Sequence, residues 1–260
     1  MHLKFNPDNS KLKNPVKKVT GRGVIMFRKV SAFFTAALFL TLSLAVVAGA
    51  KNSEKESPSV REPLNLAILI QDDLTSRVGN ELGVTRDFIR ALPDGSRVMV
   101  AYITSGSLQV RQPFTDDVNR AANSLRIPMA STAASPYNPY VEVIQALKKF
   151  DSSWKGNNAV LLISDGLDVS RGFDPSSAGH TIDLDRAIKE ANRRDVAIYS
   201  FYAPSVGLTS RSYLAASYGQ SSLNRLSRET RGRAFFQGMT GFVTFNSYFD
   251  RLRAELNRQT

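Results

Sequence analysis

In the stretch LAILIQDDLTSRV, Leu66 to Val78, a strand-like segment runs directly into a cluster of acids and hydroxyls. It opens with an unbroken apolar run, which is typical of a central strand buried on both faces. The run stops abruptly on a polar cluster that is rich in side-chain oxygen: Gln71, Asp72, Asp73, Leu74, Thr75 and Ser76. Such a cluster is either a metal or phosphate site at a strand end or only a polar turn, and its neighbours in the fold decide which.

Strand-like and helix-like segments alternate along the rest of the chain. RVMVAYI (97–103), NAVLLISDG (158–166) and VAIYSFYA (196–203) repeat the apolar pattern of a buried strand, and NELGVTRDFIRAL (80–92) and IDLDRAIKEANRRD (182–195) have helical periodicity. This alternation predicts an α/β fold with a doubly wound, mostly parallel open sheet of Rossmann-like topology.

Four further segments refine this prediction. SLQVRQPF (107–114) alternates and follows a turn, which indicates one antiparallel edge strand. We expect Thr115 to cap a short helix that ends near residue 125, and Asn138 to cap another. TSRSYLAASYGQ (209–220) lacks periodicity, so we predict a loop there, before a helix over 221–232.

Charge is concentrated in the N-terminal segment. The 260-residue chain has a formal net charge of +11, but residues 1–29 carry eight Lys or Arg against one acid. The remainder holds 26 basic and 22 acidic groups, a balance that argues against nucleic-acid binding. The sequence has no Cys, which excludes disulfides and thiolate metal sites.

The N-terminal segment has the pattern of an export signal. MFRKVSAFFTAALFLTLSLAVVAGA begins at Met26, the expected start, and ends in small residues of the A-x-A form. The alternative is an uncleaved anchor over 30–50, the only membrane contact we expect. We predict a leader over 1–50, a polar linker over 51–63 and one domain over 64–260, either periplasmic, secreted or anchored.

Two acidic strand ends are expected to meet. The first comprises Gln71 to Asp73 and the second is Asp165 in LLISDG. Ligands of such sheets bind at the carboxyl ends of the parallel strands, an edge that we call the rim.

Several segments together resemble a von Willebrand factor A domain, in particular that of exported bacterial proteins called VWFA-related. They are LAILI with DDLTS, GSRVMVAYI, VEVIQALKKF, AVLLISDGLD and VAIYSFYA, and the resemblance covers roughly residues 64–258. It implies a non-enzymatic protein-binding module with a metal-ion-dependent adhesion site. In that site a D-x-S-x-S motif, a Thr and a later Asp hold Mg²⁺ or Mn²⁺, and an acidic group of the partner completes the coordination.

The residues match this motif in part. Asp165 matches the later Asp, and a gapless alignment places Gln71, Asp73 and Thr75 on the D-x-S-x-S positions. Shifting by one residue uses Asp72, Leu74 and Ser76, and shifting by two uses Asp73, Thr75 and Arg77. The expected middle Thr falls near Tyr140 or Val141, which supply no ligand, so Thr132, Ser135 and Asn138 are the available substitutes.

Loops beside the rim are candidates for the partner surface, because recognition residues in such domains lie on loops. The candidates are Ser135, Asn138, Asp168, Arg171 and His180. For Asp168 the alternative is a local cap.

Two other functions stay open on the sequence alone. QDDLT resembles the D-x-D-x-T loop of haloacid-dehalogenase-like Mg²⁺-dependent phosphatases, but Gln71 stands where that family has its nucleophile. The second alternative is a structural envelope domain whose metal site is vestigial. The protein-binding module is the function that we predict.

Overall fold

A computed structural model describes residues 59–154, 156–172, 181–237 and 244–258. The predicted leader, its start at Met26, most of the predicted linker and His180 lie outside the described residues. Within the linker, Val60 is buried, and Arg61 N donates to Asn257 Oδ1 at 3.0 Å.

Six strands form one sheet in the order β3-β2-β1-β4-β5-β6. All neighbouring pairs are parallel except β2 and β3, which are antiparallel. This arrangement confirms the predicted mostly parallel sheet with one antiparallel edge strand. The strands are β1 (Leu64–Gln71), β2 (Arg97–Thr104), β3 (Ser107–Thr115), β4 (Asn157–Ser164), β5 (Val196–Tyr202) and β6 (Ala234–Phe235).

Helices cover both faces of the sheet. One apolar core joins the sheet to the first, second and sixth helices, and the other joins it to the third, fourth and fifth. Burial on both faces explains the unbroken apolar runs of β1, β2, β4 and β5. The helices are α1 (Arg77–Arg90), α2 (Val118–Asn123), α3 (Pro139–Leu147), α4 (Ile182–Arg193), α5 (Tyr213–Glu229) and α6 (Asn246–Leu256).

Side chains cap the starts of α2, α3, α4 and α5. Asn138 caps α3 as predicted, because its Oδ1 accepts from Tyr140 N at 3.0 Å. The predicted Thr115 cap is wrong: Asp117 caps α2 and accepts from Arg120 N at 2.9 Å. A carboxylate at this position also suits the positive end of the helix.

The largest deviation from the predicted elements concerns α5. This helix begins at Tyr213, eight residues before the predicted start, and Ser212 caps it by accepting from Ala215 N. Its buried face is made largely of small and polar residues, among them Ala215, Gly219 and Ser222. The first part of α5 therefore shows no apolar stripe in the sequence, and the prediction of a loop over 209–220 is wrong.

Length and apolar content also bear on membrane insertion. In the described part of the chain, no helix has both the length and the apolar content needed to cross a membrane.

Candidate functional site

The rim brings the two acidic strand ends together. β1 and β4 are hydrogen-bonded in parallel, with Ile70 opposite Ile163. Gln71 and Ser164 therefore end neighbouring strands at the same level, and Asp73 and Asp165 follow them. The predicted meeting of these segments is what the strand register produces.

Gln71 links the two strand ends through its side-chain amide. Its Oε1 accepts from Ser164 Oγ at 2.5 Å and from Asp165 N at 3.2 Å. Its Nε2 donates to Asp73 Oδ1 at 2.7 Å. Both ends of the amide are thus engaged by the protein, so Gln71 orients the acidic groups around it.

Asp73 is fully buried, and only one of its oxygens is satisfied. Oδ1 accepts from Gln71, whereas Oδ2 has no hydrogen-bond partner among the described residues. Burial, followed by the charge of Asp165, raises the pKa of Asp73 to about 6, while the side chains of Ser135 and Gln71 act in the opposite direction. A buried carboxylate without a cation favours its protonated form.

Thr75 supplies a second unpaired oxygen on the same loop. Its Oγ1 is buried and has no partner within the described part of the chain. The loop itself is fixed, because Thr75 N donates to Pro204 O at 3.0 Å and Val206 N donates to Asp73 O at 2.9 Å. The loop that carries both unpaired side-chain oxygens, at positions 73 and 75, is therefore held by backbone hydrogen bonds to the segment after β5.

Asp165 is buried as well, but its carboxylate is satisfied. Oδ1 accepts from Leu167 N at 3.1 Å, and Oδ2 accepts from Thr209 Oγ1 at 3.0 Å. Burial raises its pKa, and hydrogen bonds from Ser205, Leu167, Gln71 and Thr209 oppose that shift.

Ser205 and Thr209 were not predicted as site residues. Thr209 Oγ1 also accepts from Ser205 N at 2.9 Å. Their signal in the sequence is their position directly after β5, a third parallel strand that ends at the rim. We call Gln71, Asp73, Thr75, Ser135, Asp165 and Thr209 the rim cluster.

A close helix contact explains the glycine after Asp165. Gly166 has φ +69°, and a Cβ there would lie 2.5 Å from Gly219 O on α5. A side chain at Gly219 would in turn collide with the Asp165 carbonyl. The turn and the helix therefore pack backbone to backbone, which holds Asp165 in place.

Asp72 points away from the rim cluster. Its oxygens accept from Arg126 Nη1 and Nη2 at 2.6 and 2.7 Å, and Oδ1 also accepts from Met129 N at 3.0 Å. The Arg126 guanidinium lies 4.0 Å from the centroid of the Tyr102 ring. Asp72, predicted as a possible metal ligand, instead anchors the loop that follows α2.

Of the remaining predicted residues, Ser76 and Arg171 are exposed, and Ser135 is half-buried near Asp73. Asn138 Nδ2 donates to Asp183 Oδ2 at 2.8 Å, so it ties α3 to α4 in addition to its cap. Asp168 Oδ1 accepts from Ser170 N and Oγ at 3.0 and 2.7 Å, a local turn.

Exposed apolar side chains occur on loops and helix starts at the same end of the sheet as the rim cluster. Among the described residues, the exposed large hydrophobics are concentrated here, with Phe236 the exception. They lie on the loop that Asp72 anchors, next to Thr209, which hydrogen-bonds Asp165, and just before or within the first turns of α3, α4 and α5. The set consists of Ile127, Met129, Tyr137, Val141, Ile182, Leu208, Tyr213 and Leu214. We call these residues the apolar ring.

The chemistry of the rim cluster suits a small hard cation. Carboxylate and hydroxyl oxygens are the ligands that Mg²⁺ and Mn²⁺ prefer. An unpaired buried oxygen costs about 1–3 kcal/mol, and a cation would satisfy both Asp73 Oδ2 and Thr75 Oγ1. No group of three or more His, Cys, Asp or Glu side chains converges within the described ranges, so a site here depends on hydroxyl ligands.

Comparison with solved structures identifies the fold. An aerotolerance-related membrane protein from Bacteroides fragilis NCTC 9343, with multiple mutations to serines, has a TM-score of 0.51 and 13% identity, covering 76% of this chain and 100% of that one. The conserved hypothetical protein BatB from Bacteroides thetaiotaomicron has a TM-score of 0.51 and 12% identity, covering 76% and 98%. The SpRpn10 VWA domain also matches, with a TM-score of 0.43 and 11% identity over 77% and 96%.

No protein-family model and no curated protein matches the sequence. The two structures with a TM-score of 0.51 are similar to this chain in fold alone. Together with the strand order and the antiparallel β3 edge, they confirm the architecture expected from the sequence resemblance: the chain has a von Willebrand A-type fold.

Proposed function

We propose that this protein is an exported, non-enzymatic binding module whose rim docks a partner protein. The observation that carries the proposal is the exposure of the apolar ring at the same end of the sheet as a buried acidic cluster. Exposed apolar residues grouped near polar residues are typical of protein-binding surfaces. Aromatic residues and Met are enriched in such interfaces, and this ring contains Tyr137, Tyr213 and Met129.

The proposal includes a divalent cation, Mg²⁺ or Mn²⁺, at the rim cluster. Asp73 Oδ2 and Thr75 Oγ1 would bind it, with Ser135 beside them and Asp165 as the second acid. The cation would supply a Lewis-acidic contact for a carboxylate of the partner. The residues of this chain fix the ligands: Gln71 orients Asp73, and the 204–206 segment holds the loop.

Export rests on the leader pattern that begins at Met26 and on the residues that follow it. One of the compared structures with a TM-score of 0.51 belongs to a membrane protein, which is compatible with a role at the cell envelope. The leader pattern is the stronger argument, because it belongs to this chain.

A phosphatase is less well supported by the geometry. It needs an accessible carboxylate to attack phosphorus, yet Asp72 accepts from both Arg126 amino groups and from Met129 N, and Asp73 is fully buried beside the second acid Asp165. Gln71 supplies an amide at the nucleophile position.

Thermal unfolding of the full chain tests the cation. After treatment with chelator, added Mg²⁺ or Mn²⁺ is expected to raise the melting temperature, because a ligand at 100 times its Kd stabilises by about 2.7 kcal/mol. Asp73→Asn should abolish the rise, whereas Asp87→Asn, an exposed site on α1, should retain it. A rise of equal size in both variants would contradict the rim site.

Partner capture tests the docking surface. The tagged full chain is crosslinked in its native envelope, beside an Ile127→Ser/Tyr213→Ser/Leu214→Ser variant and a Lys148→Ser/Lys149→Ser control at exposed positions near the end of α3. We expect proteins that the wild type and the control enrich to be lost from the rim variant. Identical enrichment by all three chains would contradict docking at the rim.

A further inference from the structure

A basic groove lies at the opposite side of the sheet from the β3 edge, where β6 is the last strand. It has a volume of about 600 Å³ and is bounded by α5 on one face of the sheet and α6 on the other. The side chains that matter are Arg228 on α5, Arg233 before β6, and Arg251 and Arg258 on α6 or just after it. Nothing in the rim cluster contributes to it.

The groove carries surplus positive charge. Four arginines line it, with Glu255 as the single acid. Glu255 Oε1 accepts from Arg233 Nη1 at 2.5 Å and from Arg258 Nη2 at 2.9 Å. Arg228 and Arg251 are exposed, and neither forms an ion pair with any residue in the described ranges. Two guanidinium groups are therefore available to an anionic partner.

The floor of the groove is an open strand edge. Ser200 N on β5 donates to Arg233 O at 3.0 Å. The N–H and C=O of successive strand residues face opposite sides, so those of Ala234 face away from β5. Among the described strands, β6 has no neighbour on that side. An edge of this kind is a template for pairing with another chain.

The edge is also rigid, which lowers the entropic cost of binding. The Phe235 ring of β6 packs against Phe201 with centroids 5.5 Å apart and against Tyr248 of α6 at 6.0 Å. These contacts fix β6 between the two helices before any partner arrives.

We propose that an extended acidic segment of a partner protein adds to β6 as a seventh strand and places its carboxylates against Arg228 and Arg251. Side chains of an added strand alternate between the two faces of the sheet. The arginines lie on both faces, so successive acidic residues would each meet one. Arginine pairs with carboxylates through two parallel hydrogen bonds, which favours this partner chemistry.

A second copy of this chain is a poorer occupant. Pairing β6 with β6 across a twofold axis places the same arginines on both sides of the interface. Like charges in that position are repulsive, and a heterologous acidic segment avoids the repulsion.

Peptide binding to the full chain tests the proposal. The probe is a fluorescent peptide with two adjacent Glu residues between Val pairs, Val-Val-Glu-Glu-Val-Val, here called the Glu/Val peptide, so that its Glu side chains face opposite sides of the sheet. A second probe of the same sequence carries an N-methyl group on every amide, which blocks strand pairing at both edges of the peptide. Arg228→Glu/Arg251→Glu should weaken binding of the first peptide at least about tenfold. Lys148→Glu/Lys149→Glu, exposed residues near the end of α3 with the same change in charge, should leave it unchanged.

Two further measurements separate strand addition from attraction by charge alone. Ala234→Pro removes one outward N–H and should weaken the Glu/Val peptide without changing the binding of inorganic polyphosphate. Equal binding of the N-methylated peptide, or no effect of Ala234→Pro, would overturn strand addition in favour of a polyanion site. Absence of Glu/Val peptide binding to the wild type would overturn the proposal as a whole.

Discussion

Asp72 and Asp73 are neighbours in the sequence, and both side chains are buried, yet their carboxylates differ in ion pairing and hydrogen bonding. Asp72 is neutralised by the Arg126 guanidinium at 2.6 Å. Asp73 feels the charge of a second acid, Asp165, and Asp73 forms no ion pair among the described residues. The Asp72 carboxylate is therefore fully paired within the protein, whereas the Asp73 carboxylate keeps one unpaired oxygen.

The difference separates a structural acid from a ligand-binding one. A buried charge that is fully paired has no capacity for another cation. A buried carboxylate with a raised pKa and a free oxygen gains from any cation that reaches it.

The largest effect is expected at Arg126. Arg126→Met leaves the Asp72 charge buried without a partner, which should lower the free energy of unfolding by about 3 kcal/mol. Urea denaturation measures the change, and Asp72→Asn/Arg126→Met should recover most of it. A loss well under about 1 kcal/mol would mean that Asp72 tolerates the absence of its partner, and the comparison would fail.

Asp73→Asn should raise the free energy of unfolding, the opposite of the effect expected for Arg126→Met. The folded-state pKa of Asp73 is about 6, above the usual value near 3.8, so the folded state binds more protons between these values. Wild-type stability should therefore fall as pH rises from about 4 to about 6. Without metal, Asp73→Asn should be more stable than wild type at pH 7, by up to about 2–3 kcal/mol.

Denaturation at several pH values measures this difference. The advantage of Asp73→Asn should disappear below about pH 4, where the wild-type carboxyl is protonated in both states. Destabilisation by Asp73→Asn at pH 7 in chelator would show that the charge is compensated in the fold.

The smallest effects are expected for a pair of matched threonines. Thr209→Val removes a donor to Asp165 and an acceptor from Ser205 N, and should destabilise by about 1–2 kcal/mol. Thr75→Val removes a buried hydroxyl that has no partner, and should be neutral or stabilising by about 1 kcal/mol without metal. Melting curves with and without Mg²⁺ measure both variants, and only Thr75→Val should lose the metal response. Equal destabilisation of the two would contradict the difference in pairing.

The location of the site was predictable from the sequence, whereas the hydrogen bonds within it were not. The meeting of Asp73 with Asp165 followed from two apolar runs that each end in acids, since parallel strands share a rim. The engagement of Gln71 by Ser164 and the role of Thr209 did not follow, because each depends on rotamers set by neighbouring strands. The start of α5 was missed because its buried face carries little hydrophobic signal.

Local patterns in the sequence predicted the order of strands and helices, the antiparallel β3 edge and the location of the acidic strand ends. These features are encoded in local periodicity and capping, which act over a few residues. The packing of the folded chain pairs Asp72 with Arg126, 54 residues away, and leaves Asp73 with a free oxygen. The same packing brings four arginines from α5, α6 and the β6 segment to one groove. Such long-range contacts depend on how whole elements pack, and no local pattern in the chain records them.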